Sequence, residues 1–139
     1  MRVFLLALLF CCQLLAAAAA NVPLMPVRDL RAGMQGIGKT VISGDTIETF
    51  NVEILGVNGS EAMGYNIFVR LYGDLIEKTG GVAQGMSGSP VYVDGRLVGA
   101  VAFGKTFNDP HYCFLTPIGK MLPLLEEPRE LPADCPITS

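Results

Sequence analysis

The constraint that most limits the fold of this 139-residue chain is the run from Pro90 to Phe103. Val91-Tyr92-Val93 and Arg96 to Phe103 flank Asp94-Gly95, and an Asp-Gly pair between apolar runs is among the strongest short-range signals for a β-hairpin. Immediately before it stands Gly80-Gly81-Val82-Ala83-Gln84-Gly85-Met86-Ser87-Gly88-Ser89-Pro90. Glycines on both sides of a serine allow a tight loop whose backbone N–H groups converge on one point, held by the hairpin that follows.

Upstream, Phe50, Val52 and Ile54 alternate with Asn51 and Glu53, and Ile67, Val69 and Leu71 alternate with Asn66, Phe68 and Arg70. A period of two over such lengths predicts half-buried antiparallel strands. We therefore expect strands over 36–42, 47–57, around 67–71, 91–93, 96–103 and 112–115. Asn58-Gly59 is read as the turn between the second and third, in preference to the glycosylation acceptor that Asn58-Gly59-Ser60 also spells. Leu75 to Thr79 is expected as a short helical turn closed by Gly80. Thr116-Pro117 is expected to start a short helix that Pro123 stops. The fold class is mainly β, a small antiparallel barrel or sandwich with one or two short helices.

The N-terminus has the form of a secretory signal: Arg2, an apolar run from Val3 to Leu15, then small residues to Ala20. The run is shorter than the roughly 20 residues that cross a bilayer, so no stable membrane span is expected after cleavage. This divides the chain into a leader over 1–20, a domain over 21–125 and a Pro-rich acidic tail over 126–139. Export is predicted, to periplasm, cell surface or medium. Formal net charge is −3 with no Lys/Arg run, which argues against a nucleic-acid partner. Of four cysteines, only Cys113 and Cys135 lie beyond the leader. In an oxidising compartment they could pair, closing a loop worth about 3 kcal/mol in the chain-entropy account, or stay as two separate thiols. No zinc spacing, paired carboxylates or phosphate loop stands out, and no cofactor is expected.

The spacing Gly-x-Ser-Gly-x-Pro, then a strand, a glycine turn and a second strand, resembles the nucleophile hairpin of chymotrypsin-like peptidases. More closely, Glu77 to Pro90 resembles the SpoIVB family of bacterial sporulation serine peptidases. The likeness extends through Asn108-Asp109-Pro110 and Thr116-Pro117-Ile118, and back to Gly33-Met34-Gln35-Gly36-Ile37-Gly38 and Val52 to Val57. It implies a chymotrypsin-like fold, a protein or peptide substrate, Ser87 as nucleophile, and the N–H groups of Gly85 and Ser87 as oxyanion-hole donors. It also implies a general-base histidine in a Gly-His context, and no such pair stands upstream of Ser87. The family's acidic position falls near Tyr72, where the nearest carboxylate is Asp74.

The chain's single histidine, His111, is the internal candidate base, in a loop after the hairpin beside Asp109 and Pro110. Three readings follow. The loop is a structural relic; or the domain is half of a catalytic site whose base comes from a partner domain; or a divergent enzyme uses His111, Lys78 or Lys105. A function of another class, a non-catalytic peptide-binding module that adds a strand to a sheet edge, stands beside them.

Overall fold

The computed structural model describes residues 22–102 and 109–126. The expected leader, Lys105, Cys135 and residues 127–139 of the tail lie outside them. Six strands form one closed antiparallel barrel: β1 (Gln35–Thr40), β2 (Glu48–Ser60), β3 (Gly64–Tyr72), β4 (Pro90–Val93), β5 (Arg96–Ala102) and β6 (Tyr112–Pro117). They follow one another round the ring as β1-β2-β3-β6-β5-β4. The helices are short: α1 (Asp74–Thr79) between β3 and β4, then α2 (Ile118–Met121) and α3 (Pro123–Glu126). A closed antiparallel barrel of six strands is the barrel form of the mainly β fold expected from the sequence.

The alternation in sequence becomes the inside and outside of the barrel. Phe50, Val52 and Ile54 of β2 and Ile67, Val69 and Leu71 of β3 point inward with Val91, Val93, Val98, Val101 and Leu115, all buried. Each such side chain contributes about 1.5–3 kcal/mol by leaving water. Asp94 (φ 50°) and Gly95 (φ 71°) both take positive φ, as a type I′ hairpin turn demands. The lead-in is fastened to β5 by Met25 N–H to Leu97 C=O (2.9 Å) and Leu97 N–H to Pro23 C=O (2.8 Å). Arg96 adds an ion pair to Asp29 at 3.2 Å.

Two local expectations are corrected. Asn58-Gly59 does not turn: β2 runs on to Ser60, with Asn58 paired to Asn66, Gly59 to Tyr65 and Ser60 to Gly64. The reversal falls on residues 61–63, and Gly64 (φ 75°) supplies the left-handed backbone. Thr116 and Pro117 extend β6, paired to Ala100 and Gly99, rather than capping a helix. Pro117 is the residue before α2 and makes no side-chain cap, while Pro123 opens α3.

Ring closure also bears on ligand binding. Every strand of the ring has a neighbour on both sides, but the β2–β3 hairpin runs beyond the ring, where residues 56–60 and 64–66 pair only with each other or, for Gly56 and Val57, with Phe68 and Ile67. Among the described residues, the antiparallel order puts 41–47, 73–89 and 109–111 at one end of the barrel.

Candidate active site

The serine loop is assembled from two anchored ends. At its start, α1 closes on Gly80, and Gly81 N–H reaches back to Ile76 C=O at 2.8 Å. The Thr79 hydroxyl lies 2.7 Å from Gly81 C=O. Val82 N–H then donates to Pro110 C=O at 2.8 Å, which ties this loop to the one carrying His111.

Between Ala83 and Ser89 the backbone makes two successive reverse turns. Met86 N–H donates to Ala83 C=O (3.2 Å), and Ser89 N–H to Met86 C=O (3.0 Å). Gly85 (φ 96°) and Gly88 (φ 88°) occupy the third position of each turn, while the residues before them keep negative φ. That is the signature of type II turns, whose third residue must be glycine or close to it. The two turns share Met86, which is fully buried and plugs the loop into the core.

Beyond Ser87 the chain is pinned again. Gly88 N–H donates to Val101 C=O (2.8 Å), and Val101 N–H to Ser89 C=O (2.9 Å). Ser89, only 6% exposed, places its hydroxyl 2.9 Å from that of buried Thr40. Ser87 itself stands exposed at the corner of the second turn. Among the described residues its hydroxyl has no hydrogen-bond partner, and neither its N–H nor that of Gly85 has an acceptor. The neighbouring amides of Met86, Gly88 and Ser89 are all spent on the turn or on β5. Among the described residues the Ala83 and Gln84 N–H groups also lack an acceptor, so the Ser87 hydroxyl and the Gly85 and Ser87 amides are available to a ligand but are not the loop's sole unpaired donors.

His111 sits at the same end of the barrel, just before β6, with its carbonyl accepting Leu71 N–H at 2.8 Å. Its ring is bracketed by carboxylates: Nδ1 is 2.7 Å from Asp109 Oδ1, and Nε2 is 3.7 Å from Glu77 Oε1. Asp109 Oδ1 also accepts the His111 backbone N–H at 2.9 Å. That amide bond first, then the bond and charge of the ring, hold the Asp109 carboxyl below the ordinary carboxylate range. No hydrogen bond joins His111 to Ser87; the two share the loop-to-loop tie at Val82 and Pro110 but not a proton-transfer contact.

The remaining sequence candidates are dispersed. Tyr72, near which the resemblance places an acidic residue, donates its hydroxyl to Gln35 Oε1. Asp74 and Lys78 are exposed on α1 and line a shallow groove with Ile47, Glu48 and Thr49. Cys113 is a buried free thiol whose pKa is pushed up to about 12 by burial alone, while its possible partner Cys135 lies outside the described residues. No group of three or more His, Cys, Asp or Glu among the described residues could hold a metal ion.

Two features escaped sequence reasoning. An aspartate two residues before His111 is a known local acceptor of a backbone N–H, so the Asp109 contact had a signal in the Asp-Pro-His spelling. The Ser89–Thr40 pair joins residues 49 apart and had none.

No curated protein matches the chain. Among solved structures, a crystal structure of Rv3671c from M. tuberculosis, an inactive-form serine-to-alanine mutant, is similar at a TM-score of 0.55 and 16% sequence identity. The match covers 84% of this chain and 56% of that one, so the chain spans little more than half the length of this neighbour. At that identity the likeness concerns the fold, and it agrees with the barrel. The family follows from the sequence itself: the profile of SpoIVB peptidase S55 matches residues 16–122, which include the whole barrel and the serine loop, and the chain belongs to that family.

Proposed function

We propose that this domain carries the nucleophile half of a serine endopeptidase site: Ser87 attacks, Gly85 and Ser87 N–H groups hold the oxyanion, and the general base comes from outside the described residues. The observation that carries this reading is the exposed Ser87 hydroxyl beside the Gly85 and Ser87 amides, which have no acceptor among the described residues, on a loop pinned at Gly81, Val82, Met86, Gly88 and Ser89. A partner domain, or chain beyond the described residues, would bring the imidazole. The secretory form of residues 1–20 supports action outside the cytoplasm, on protein or peptide substrates.

In such a site, Ser87 Oγ adds to the carbonyl carbon of the scissile peptide while the base takes its proton. The carbonyl oxygen becomes an oxyanion between the two N–H groups. Collapse of the tetrahedral species breaks the C–N bond, and the amine leaves with the proton returned by the base. Water then attacks the acyl-serine by the same route, releasing acid and regenerating the hydroxyl. A single oxyanion donor is worth about 10²–10³-fold in rate. A triad enzyme stripped of a member keeps only about 10³–10⁴-fold over water. The domain alone should therefore bind and react slowly, and gain speed when a base is supplied.

One observation favours a second reading, in which His111 is the base. The Asp109 contact to Nδ1 is the orienting bond that a catalytic histidine uses, and the two loops are tied. In this reading Nε2 would exchange Glu77 for Ser87.

The test is phosphonylation by a fluorophosphonate probe, with the adduct located by mass spectrometry, in the absence and presence of added imidazole. The half-site predicts slow labelling of Ser87 that imidazole accelerates by about 10²-fold, within the range for general-base catalysis. Labelling should vanish in Ser87→Ala and survive in His111→Ala. Fast labelling without imidazole that His111→Ala abolishes would replace the half-site by the second reading. No Ser87 adduct under either condition would sink both.

A further inference from the structure

Among the described residues, the buried polar contact within the barrel that serves neither a helix nor a strand ladder is the one between Ser89 and Thr40. Both residues are nearly inaccessible, at 6% and 5% exposure, and their hydroxyl oxygens lie 2.9 Å apart. Thr40 is the last residue of β1; Ser89 immediately precedes β4, the neighbour of β1 in the ring. The ladder between them pairs Ile37 with Tyr92 and Gly38 with Val91 and goes no further. Past that point the hydroxyl pair takes the place of backbone bonds.

Its position along the chain gives it leverage. Ser89 is the fourth residue of the turn whose second residue is Ser87, and its N–H closes that turn on Met86 C=O. Its carbonyl receives Val101 N–H, so Ser89 is held at three points: by its turn, by β5 and, through its side chain, by β1. A residue fixed in this way restrains the Ser87 peptide plane, because it anchors one end of a four-residue turn whose glycine is otherwise free to readjust. We infer that Ser89 and Thr40 are positioning residues for the nucleophile turn, and that their hydroxyl contact holds the Ser87 amide and hydroxyl in reactive orientation. The inference rests on the reading of Ser87 as nucleophile. Displacement by about 1 Å at a reacting group costs on the order of 10²-fold in rate, so a small relaxation of this turn would be felt.

The contact can be separated from mere stability by three variants. Thr40→Val and Ser89→Ala each strand one buried hydroxyl and should lower the thermal midpoint. Together they strand none, so the double variant should recover much of that loss. Positioning requires something else of the same proteins: imidazole-assisted fluorophosphonate labelling of Ser87 should fall about 10- to 100-fold in both single variants and stay low in the double variant. Thr40→Ser, which keeps the hydroxyl, should restore it. Labelling that recovers in the double variant along with the midpoint, or that never falls, overturns the inference.

Amide exchange gives a readout independent of any chemistry at Ser87. The Gly88 N–H, bonded to Val101 C=O, should exchange about tenfold faster in the single and double variants while amides in the β2–β3 ladder do not change. If the parent protein shows no Ser87 adduct, the nucleophile reading fails, and the holding of the turn is judged on this exchange alone. Unchanged Gly88 exchange, or acceleration spread evenly over the barrel, would overturn it.

Discussion

Exchanging glycine for alanine at two places in the serine loop separates backbone strain from close approach. Gly88 has φ 88°, and a Cβ built on it would meet no atom within 4 Å. Its substitution costs only the left-handed backbone, about 1–2 kcal/mol. Gly81 has φ 117°, and its Cβ would lie 2.5 Å from Pro110 Cβ and 2.6 Å from Pro110 O. The backbone cost is similar, and forcing a methyl group into that contact adds about 1–3 kcal/mol. Gly81→Ala should therefore destabilise the domain by about 2–5 kcal/mol against about 1–2 for Gly88→Ala. Urea denaturation followed by circular dichroism reads both, and a domain of this size should lose roughly 4–8 °C in Tm per kcal/mol. The push at Gly81 falls on the carbonyl that accepts Val82 N–H, so Val82 exchange should accelerate in Gly81→Ala and not in Gly88→Ala. Equal losses for the two variants would refute the close packing of the serine loop against the His111 loop.

Met86→Ala empties a fully buried site under the nucleophile turn and should cost about 2–5 kcal/mol in urea denaturation. Ser87→Ala, at an exposed position whose hydroxyl bonds to none of the described residues, should leave stability within about 0.5 kcal/mol of the parent by the same measurement. The Asp109 carboxyl should titrate below the ordinary range in carbon NMR, and His111→Ala should raise it only in part, because the backbone N–H of residue 111, the larger cause, remains. Because its folded pKa is lowered, its small contribution is present above pH 3.8 and is lost as pH falls through the lowered value. Cys113 should resist alkylation at pH 8 until the protein is unfolded. With the folded thiol at about 12 and the unfolded one near 9.0, ionisation favours the unfolded chain as pH rises from 9.0 towards 12. The loss is about 1.4 kcal/mol per pH unit, and Cys113→Ala should remove it from the alkaline denaturation profile.

The barrel was legible because its physics is local in sequence. Inward residues of β2 and β3 alternate strictly, and Asp94-Gly95 fits only one kind of hairpin. Where local signals misled, a long-range pairing had the stronger claim. Asn58-Gly59 has the chemistry of a turn, and Gly59 does take positive φ (121°), yet it stays paired with Tyr65 in the β2–β3 ladder and the chain reverses only at residues 61–63. Thr116-Pro117 spells a helix start, but β5 offers Thr116 and Pro117 partners that a helix would forgo. At the site, the turn glycines announced the Ser87 loop because only glycine takes those φ values cheaply. The clamp between Ser89 and Thr40, and the approach of Glu77 to His111, depend on which strands become neighbours in the closed ring. Sequence spacing does not carry that information.

The central claim is that Ser87 is a nucleophile standing in a prebuilt oxyanion hole. Its most direct test is the amide spectrum of the imidazole-assisted phosphonyl adduct, whose tetrahedral phosphorus mimics the acyl-transfer intermediate. The account predicts an adduct on Ser87 with the Gly85 and Ser87 amide protons moved strongly downfield, while those of Met86 and Gly88, already bonded within the protein, scarcely move. An adduct that leaves the Gly85 and Ser87 amides unshifted, or forms on another residue, would contradict it.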